Sequence, residues 1–463
     1  MNLAPPRGLV EAFERADVRW PLYVSCLLIG MYVLGQLTDP FIAHDDFDWL
    51  NFQFDQAFES PWSKSFSEGR WLNVPWSYFS HHLSIRGAFL LHLLVYSMFV
   101  WTLPKLLIGR SSVICSLLLF VAPMAAETSM WPVTQVTGAL VSLVSCWVML
   151  SANGERERLI ALSAGVFVGY LCYPSFGPIL LLVASTHAAD PRALARTGVT
   201  YVATFVSAVL FVFLLNLLFH GSFAIKPAPW REATPLLQGG SLQVNVARYL
   251  KYYDQLLQMW PALVVSTVAY VACFASGIRR MSCSAVLAMS VMLLAMDASL
   301  SVVSGLGLWL RASLWIWIVL SFPVIALIGS TQRRALGLLL AAPLILFGMN
   351  AWAGIYQNVR GTFPAVRTLA QDMALAQARV AGSFDSIVVF GDVHDSYFLR
   401  HMNSNRALRN LLFKEYGWVT QPCEPALCEK IEAEIADAAR PPGWIVVERR
   451  FVIVISNHRG SLY

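Results

Sequence analysis

Residues 198–219 read GVTYVATFVSAVLFVFLLNLLF, 22 consecutive positions without an Asp, Glu, Lys or Arg. As a helix this run is about 33 Å long, enough to cross the hydrocarbon core of a bilayer. Comparable apolar stretches recur at about 21–38, 87–104, 111–124, 136–152, 158–173, 175–188, 261–277, 283–303, 313–330 and 335–352. The 463-residue chain is 57% hydrophobic and only 13% charged, against roughly 25% charged in ordinary soluble domains. One soluble core cannot hide that much apolar surface. The same hydrophobicity excludes disorder, and eight Cys in 463 residues are too sparse for a disulfide-stapled secreted domain. The expected fold class is an all-α polytopic membrane protein with about 11 transmembrane helices. The net charge of +5 is too diffuse to imply nucleic acid as a partner.

Charge is unevenly spread. Residues 353–463 hold 23 charged side chains and the first 352 residues hold 38. The chain is therefore read as a transmembrane domain, 1–352, and a small C-terminal α/β domain, 353–463. In the latter, helices are expected at about 364–381, 404–415 and 425–439, and strands at 386–390, 444–448 and 451–456. Gly391–Asp395 follows the first strand, lacks a nucleotide fingerprint, and reads as a turn and helix cap. Tyr173-Pro174-Ser175 leaves two readings open between the fifth and sixth stretches: a tight hairpin, or one long kinked helix.

With the N-terminus in the cytoplasm and eleven crossings, every inner segment carries a basic pair: Arg7, Arg15 and Arg19 before the first span, then Lys105 and Arg110, Arg156 and Arg158, Arg192 and Arg196, Arg279 and Arg280, Arg333 and Arg334. That is the cationic bias that sets orientation, and it puts the C-terminal domain outside. The first apolar run follows charged residues and has no cleavage site, so it is expected to act as a signal anchor. Cys423 and Cys428 are expected to pair as a disulfide in that outer domain.

The first outer loop, 39–82, holds seven acids against Lys64 and Arg70. It opens with His44-Asp45-Asp46-Phe47-Asp48-Trp49, and eleven aromatics fall within the 33 residues 47–79. Such density beside a membrane predicts an interfacial belt, with 47–59 as an amphipathic helix in the headgroup plane. Carboxylates fixed there suit chemistry on a lipid-linked substrate. A carboxylate within hydrogen-bond reach of an acceptor hydroxyl removes its proton during attack, an effect worth about 10²–10⁴-fold, and a phosphate leaving group needs cations. Arg70, in Gly69-Arg70-Trp71-Leu72, and Arg311, in Leu308-Trp309-Leu310-Arg311, are the candidate cations.

A first span followed by an Asp-Asp pair, an interfacial stretch and then Gly-Arg before the second span resembles the GT-C superfamily of glycosyltransferases. More narrowly, His44-Asp45-Asp46-Phe47 with Gly69-Arg70-Trp71-Leu72 resembles the bacterial serotype-converting O-antigen glucosyltransferases. Tyr173-Pro174-Ser175 departs from that family's Tyr-Gln-small pattern. The resemblance implies a membrane-bound hexosyltransferase of the bacterial inner membrane, working on the periplasmic side in lipopolysaccharide modification. Its donor would be a polyprenyl-phosphate sugar and its acceptor a glycan or lipid-linked oligosaccharide. Asp45 and Asp46 would be catalytic. Arg70, Arg311, Glu127, His44 and Asp48 are the expected substrate or phosphate contacts. No cofactor is expected, with a divalent metal left open.

The second outer loop, Ala126 to Gln135, has Glu127 as its single charge, beside Trp131 and Gln135 as candidate sugar contacts. Asp297, in the ninth apolar stretch, is costly unless it faces a cavity or partner, and an ion pair with Arg311 across the turn containing Gly305 and Gly307 is expected. The loop 220–260, with Lys226, Arg231, Arg248 and Lys251, is expected to contact phospholipid. The competing classes are a transporter or flippase for lipid-linked sugars, which calls for broken helices, and a surface-polysaccharide polymerase or ligase, which calls for a dominant cation-rich outer loop.

Overall fold

The computed structural model describes residues 16–51, 61–227, 233–234, 236, 241–308, 310–379, 384–396, 399–436 and 444–455. The chain is mainly helical and divides into two compact units. One comprises Met1–Ile29, Pro61–Trp76 and Leu91–Trp352; the other comprises Gly30–Ser60, Ser77–Leu90 and Ala353–Tyr463.

Among the described residues, five helices are long and apolar enough to cross a membrane: Ile85–Ile108, Pro132–Ser151, Pro191–His220, Arg280–Ser304 and the continuous stretch Arg334–Ala378. Ser241–Leu257 and Trp260–Ser276 pass the same test only as a pair, bent by 72°. This is the architecture of a membrane-embedded helical protein. The helix Pro191–His220 contains the 22-residue run, and Val199 and Leu218 on it are each 68% exposed. An apolar surface of that extent is untenable in water and natural in lipid.

Other expected crossings are shorter. Residues 111–124 form Val113–Phe120, with Pro123–Thr128 beginning after a break, and an eight-residue helix rises only about 12 Å. Residues 175–188 form the 3-10 turn Pro174–Phe176 and the helix Gly177–Ser185. Their burial supplies the physical reason. Gly177–Ser185 is buried at every position except Pro178, and Leu314–Gly329 along nearly its whole length. Interrupted helix is tolerated at membrane depth where protein covers it. The Tyr173-Pro174-Ser175 break is a hairpin. A Cβ on Gly165 would lie 2.6 Å from Leu180 Cδ1, and one on Gly177 lies 3.8 Å from Val166 Cγ2, so the two helices run back along each other.

Basic side chains gather at one end of this unit. Arg19 donates to Ser111 O (3.1 Å), Arg110 to Ile328 O (2.6 Å) and Arg279 to Leu107 O (2.8 Å). Two of these acceptors are orphan carbonyls in the last turns of Leu314–Gly329 and Ile85–Ile108, where cations are favoured by both hydrogen bonding and the helix dipole.

In the other unit, a four-stranded sheet has the order β2-β1-β4-β3, with β1 at Ser386–Phe390, β2 at Thr420–Pro422, β3 at Trp444–Val447 and β4 at Arg450–Val454. β1 is parallel to β2 and β4, and β3 is antiparallel to β4. The helices Thr362–Arg379, Asn405–Tyr416 and Pro425–Ala436 match the expected ones closely; 437–439 lie outside the described residues. Val388, Val452 and Val454 meet Leu427 and Ile431 of the last helix in a buried core. Cys423 and Cys428 are joined by a disulfide, with Cα atoms 5.7 Å apart.

The same unit includes the acidic start of the first loop. The helix predicted over 47–59 begins earlier, as His44–Asn51, and 52–60 lie outside the described residues. Phe47 and Trp49 are 1% and 0% exposed, so they do not lie at a lipid interface. They are core residues, because this helix packs against Asn405–Tyr416.

Candidate functional site

The helix His44–Asn51 carries Asp45 and Asp46 in its first turn, where carboxylates are favoured by the unpaired amides and the positive end of the dipole. Its three acids meet different environments. The Asp45 carboxylate is one quarter exposed and lies 2.7 Å from His44 Nε2. Asp46 is fully buried. Asp48, with a 9% exposed side chain, is ion-paired with Arg406 and accepts from Asn410 Nδ2 at 2.9 Å.

Further bonds fix this helix. Asn51 Nδ2 donates to Asn410 O (2.9 Å). Lys414 Nζ donates to Leu50 O (2.8 Å) and His81 O (2.7 Å), satisfying carbonyls near two helix ends. Burial lowers the Lys414 pKa. Arg406, Asn410 and Lys414 were not singled out in the sequence. Their spacing of four puts all three on one helix face, and that repeat is the signal that could have found them.

In the membrane unit, Gly69-Arg70-Trp71-Leu72 is fastened to the hairpin turn. Leu72 N donates to Leu171 O (3.0 Å), Asn73 Nδ2 to Cys172 O (3.1 Å) and Trp71 Nε1 to Asn216 Oδ1 (3.0 Å). Gly69 has φ +76° and stands against Val212, 3.0 Å from where a Cβ would be, so glycine is required on both grounds. Arg70 lies 2.7 Å from Glu68, with both side chains mostly buried, and stacks over Tyr173 at 4.5 Å.

The same unit brings Glu127, Trp131 and Arg311 together. Arg311 Nη1 is 3.3 Å from Glu127 Oε1, and its guanidinium lies 4.4 Å from the Trp131 ring centre. Arg311 is about one quarter exposed and Glu127 about one third, so the ion pair is worth about 0–1 kcal/mol and the cation–π contact about as much. The expected Asp297–Arg311 pair is not among the ion pairs of the described residues; Arg311 turns to Glu127. In the 220–260 loop, Arg248 donates to Gly305 O (2.8 Å) and Asn245 to Val302 O (2.9 Å). These bonds tie the helix Ser241–Leu257 to protein backbone. Arg231 lies outside the described residues.

In the sheet-bearing unit, Asp392 caps the turn Val393–Asp395 by accepting from His394 N (2.9 Å). The His394 amide, and then its ring, hold the Asp392 pKa below the usual carboxylate range. Among the described residues, no group of three His, Cys, Asp or Glu is placed to hold a metal ion. Neither a family model, nor a curated protein, nor a solved structure matches the chain.

Proposed function

We propose that the protein is a metal-independent, GT-C-like glycosyltransferase that moves a sugar from a polyprenyl-phosphate donor to a glycan or lipid-linked acceptor on the periplasmic face of a bacterial inner membrane. The carrying observation is the division of labour within the helix His44–Asn51. Asp45 keeps an accessible carboxylate with His44 at 2.7 Å, while Asp46 is buried and Asp48 is engaged by Arg406 and Asn410. An acidic loop that only solvated itself would expose all three.

Asp45 is the general base. His44, donating from Nε2, orients its carboxylate. The acceptor oxygen attacks C1 of the donor sugar, its proton passes to Asp45, and the C1–O bond to phosphate breaks, leaving polyprenyl phosphate. Arg311, whose pairing with Glu127 is weak, is the phosphate-binding cation of the membrane unit, where Arg70 is already paired with Glu68. A cytoplasmic N-terminus accords with the clustering of Arg19, Arg110 and Arg279 at one end of the membrane unit.

The test is transfer by Asp45→Asn and Asp46→Asn at matched membrane abundance. Asp45→Asn should lose at least about 10²-fold in rate; full activity in both variants contradicts the proposal. One observation favours the transporter class instead: the 72° break between Ser241–Leu257 and Trp260–Ser276, beside an acid, Asp297, within a span.

A further inference from the structure

The C-terminal domain contains a cavity of about 130 Å³ lined by Arg406, Arg409, Asn410, Phe413, Trp418, Val419 and Thr420. Two of its lining atoms, Arg409 Nε and Thr420 Oγ1, are buried without a hydrogen-bond partner among the described residues. An orphaned buried donor costs roughly 1–3 kcal/mol, more when charged, so two at one cavity call for a ligand. Arg406 is neutralised by Asp48, whereas among the described residues no carboxylate pairs with Arg409. Burial and the neighbouring Arg406 both lower the Arg409 pKa, the mark of a cation that lacks a counter-charge. A single water could accept from Nε but would leave that charge unmet.

We infer that this cavity binds the anionic group, carboxylate or phosphate, of a charged sugar, with Arg409 and Thr420 holding the anion and Trp418 stacking on the ring. The volume decides the size of the ligand. It is far below the roughly 300–1,000 Å³ of sites that enclose drug-sized molecules, so one charged group enters and the rest lies outside. Val419 at the rim is 69% exposed, and the indole of Trp418 is half-buried beside Tyr416, with ring centres 5.0 Å apart. Sugar rings present C–H faces to such surfaces. The site stands whether or not the protein transfers sugars, because its residues are separate from Asp45, Asp46 and Arg311.

The experiment is direct binding to the purified full-length protein in detergent, with glucuronate, glucose 6-phosphate, glucose and inorganic phosphate as probes. Glucuronate or glucose 6-phosphate should bind more tightly than both glucose and inorganic phosphate, and whichever is tighter identifies the anion as carboxylate or phosphate. Arg409→Gln should weaken that binding at least about tenfold. Thr420→Val should weaken it severalfold without lowering the ligand-free melting temperature, since its hydroxyl has no partner to lose. Equal affinity for glucose, equal affinity for inorganic phosphate, no binding of either charged sugar, or binding indifferent to both substitutions would each overturn the inference.

Discussion

Replacing Asp48 by Ala removes the link between the acidic helix and the helix Asn405–Tyr416, and its cost can be worked from the contacts. Asp48 is 9% and Arg406 21% exposed at the side chain. Removing one partner of a buried pair costs roughly 3–5 kcal/mol because the other charge is left uncompensated. The residual exposure of Arg406 lowers that figure, and the loss of the Asn410 bond adds about 1 kcal/mol. A net cost of about 3 kcal/mol corresponds to opening roughly a hundredfold more often. Hydrogen exchange of the full-length protein, read on peptides covering 44–51 and 405–416, measures this directly. Both peptides should exchange about a hundredfold faster in Asp48→Ala, with strand β1 little changed. The double variant Asp48→Leu with Arg406→Met should recover most of the protection, since an apolar pair avoids the desolvation cost. Exchange within threefold of native in the single variant would refute the idea that this ion pair anchors the helix.

Four further outcomes follow from particular residues. Gly165→Val should destabilise the membrane unit by about 1–3 kcal/mol, because a Cβ there lies 2.4 Å from Ser145 Oγ and 2.6 Å from Leu180 Cδ1; an unchanged melting temperature in detergent would count against the hairpin. Arg449→Gly should stabilise the β3–β4 turn by up to about 1 kcal/mol, since Glu448 and Arg449 both have positive φ, 49° and 61°; faster exchange in those strands would contradict it. Arg311→Gln should raise KM for a polyprenyl-phosphate donor at least about tenfold with little loss of stability, whereas an unaltered KM removes it from the phosphate site. Asp392 should titrate below the ordinary carboxylate range by carboxyl NMR and move back toward it in His394→Ala. Its pKa is lowered by folding, so its small stabilising contribution is present above the unfolded value and fades as the pH falls through the folded one; an unmoved titration in the variant would show that the His394 ring plays no part.

The helices and strands beyond residue 360 were legible almost element by element, because β1 is a continuous apolar run and each helix has a clear polar flank. The exception, β2, has three residues, one of them Pro422, and no local pattern marks so short an edge strand. In the membrane unit, hydropathy found the apolar segments but not their lengths. A window average responds alike to a lipid-facing helix such as Pro191–His220 and to a short helix wrapped in protein such as Gly177–Ser185. At the candidate site, Glu127, Trp131 and Arg311 were each visible as exceptions in apolar surroundings, and their meeting was not, since residues almost two hundred positions apart leave no local trace. The Arg406–Asp48 tie was hidden for the same reason. The expected Asp297–Arg311 pair rested on proximity in sequence, whereas in space Arg311 meets Glu127.

The most direct test follows a radiolabelled sugar on polyprenyl phosphate in vesicles reconstituted with the full-length protein and supplied with acceptor glycan. Sugar transfer predicts that label leaves the carrier, appears on the glycan in equal amount to released polyprenyl phosphate, and does so at least about 10²-fold more slowly in Asp45→Asn. Label that reaches the opposite leaflet still attached to its carrier, at the same rate in Asp45→Asn, would contradict a transferase and establish transport.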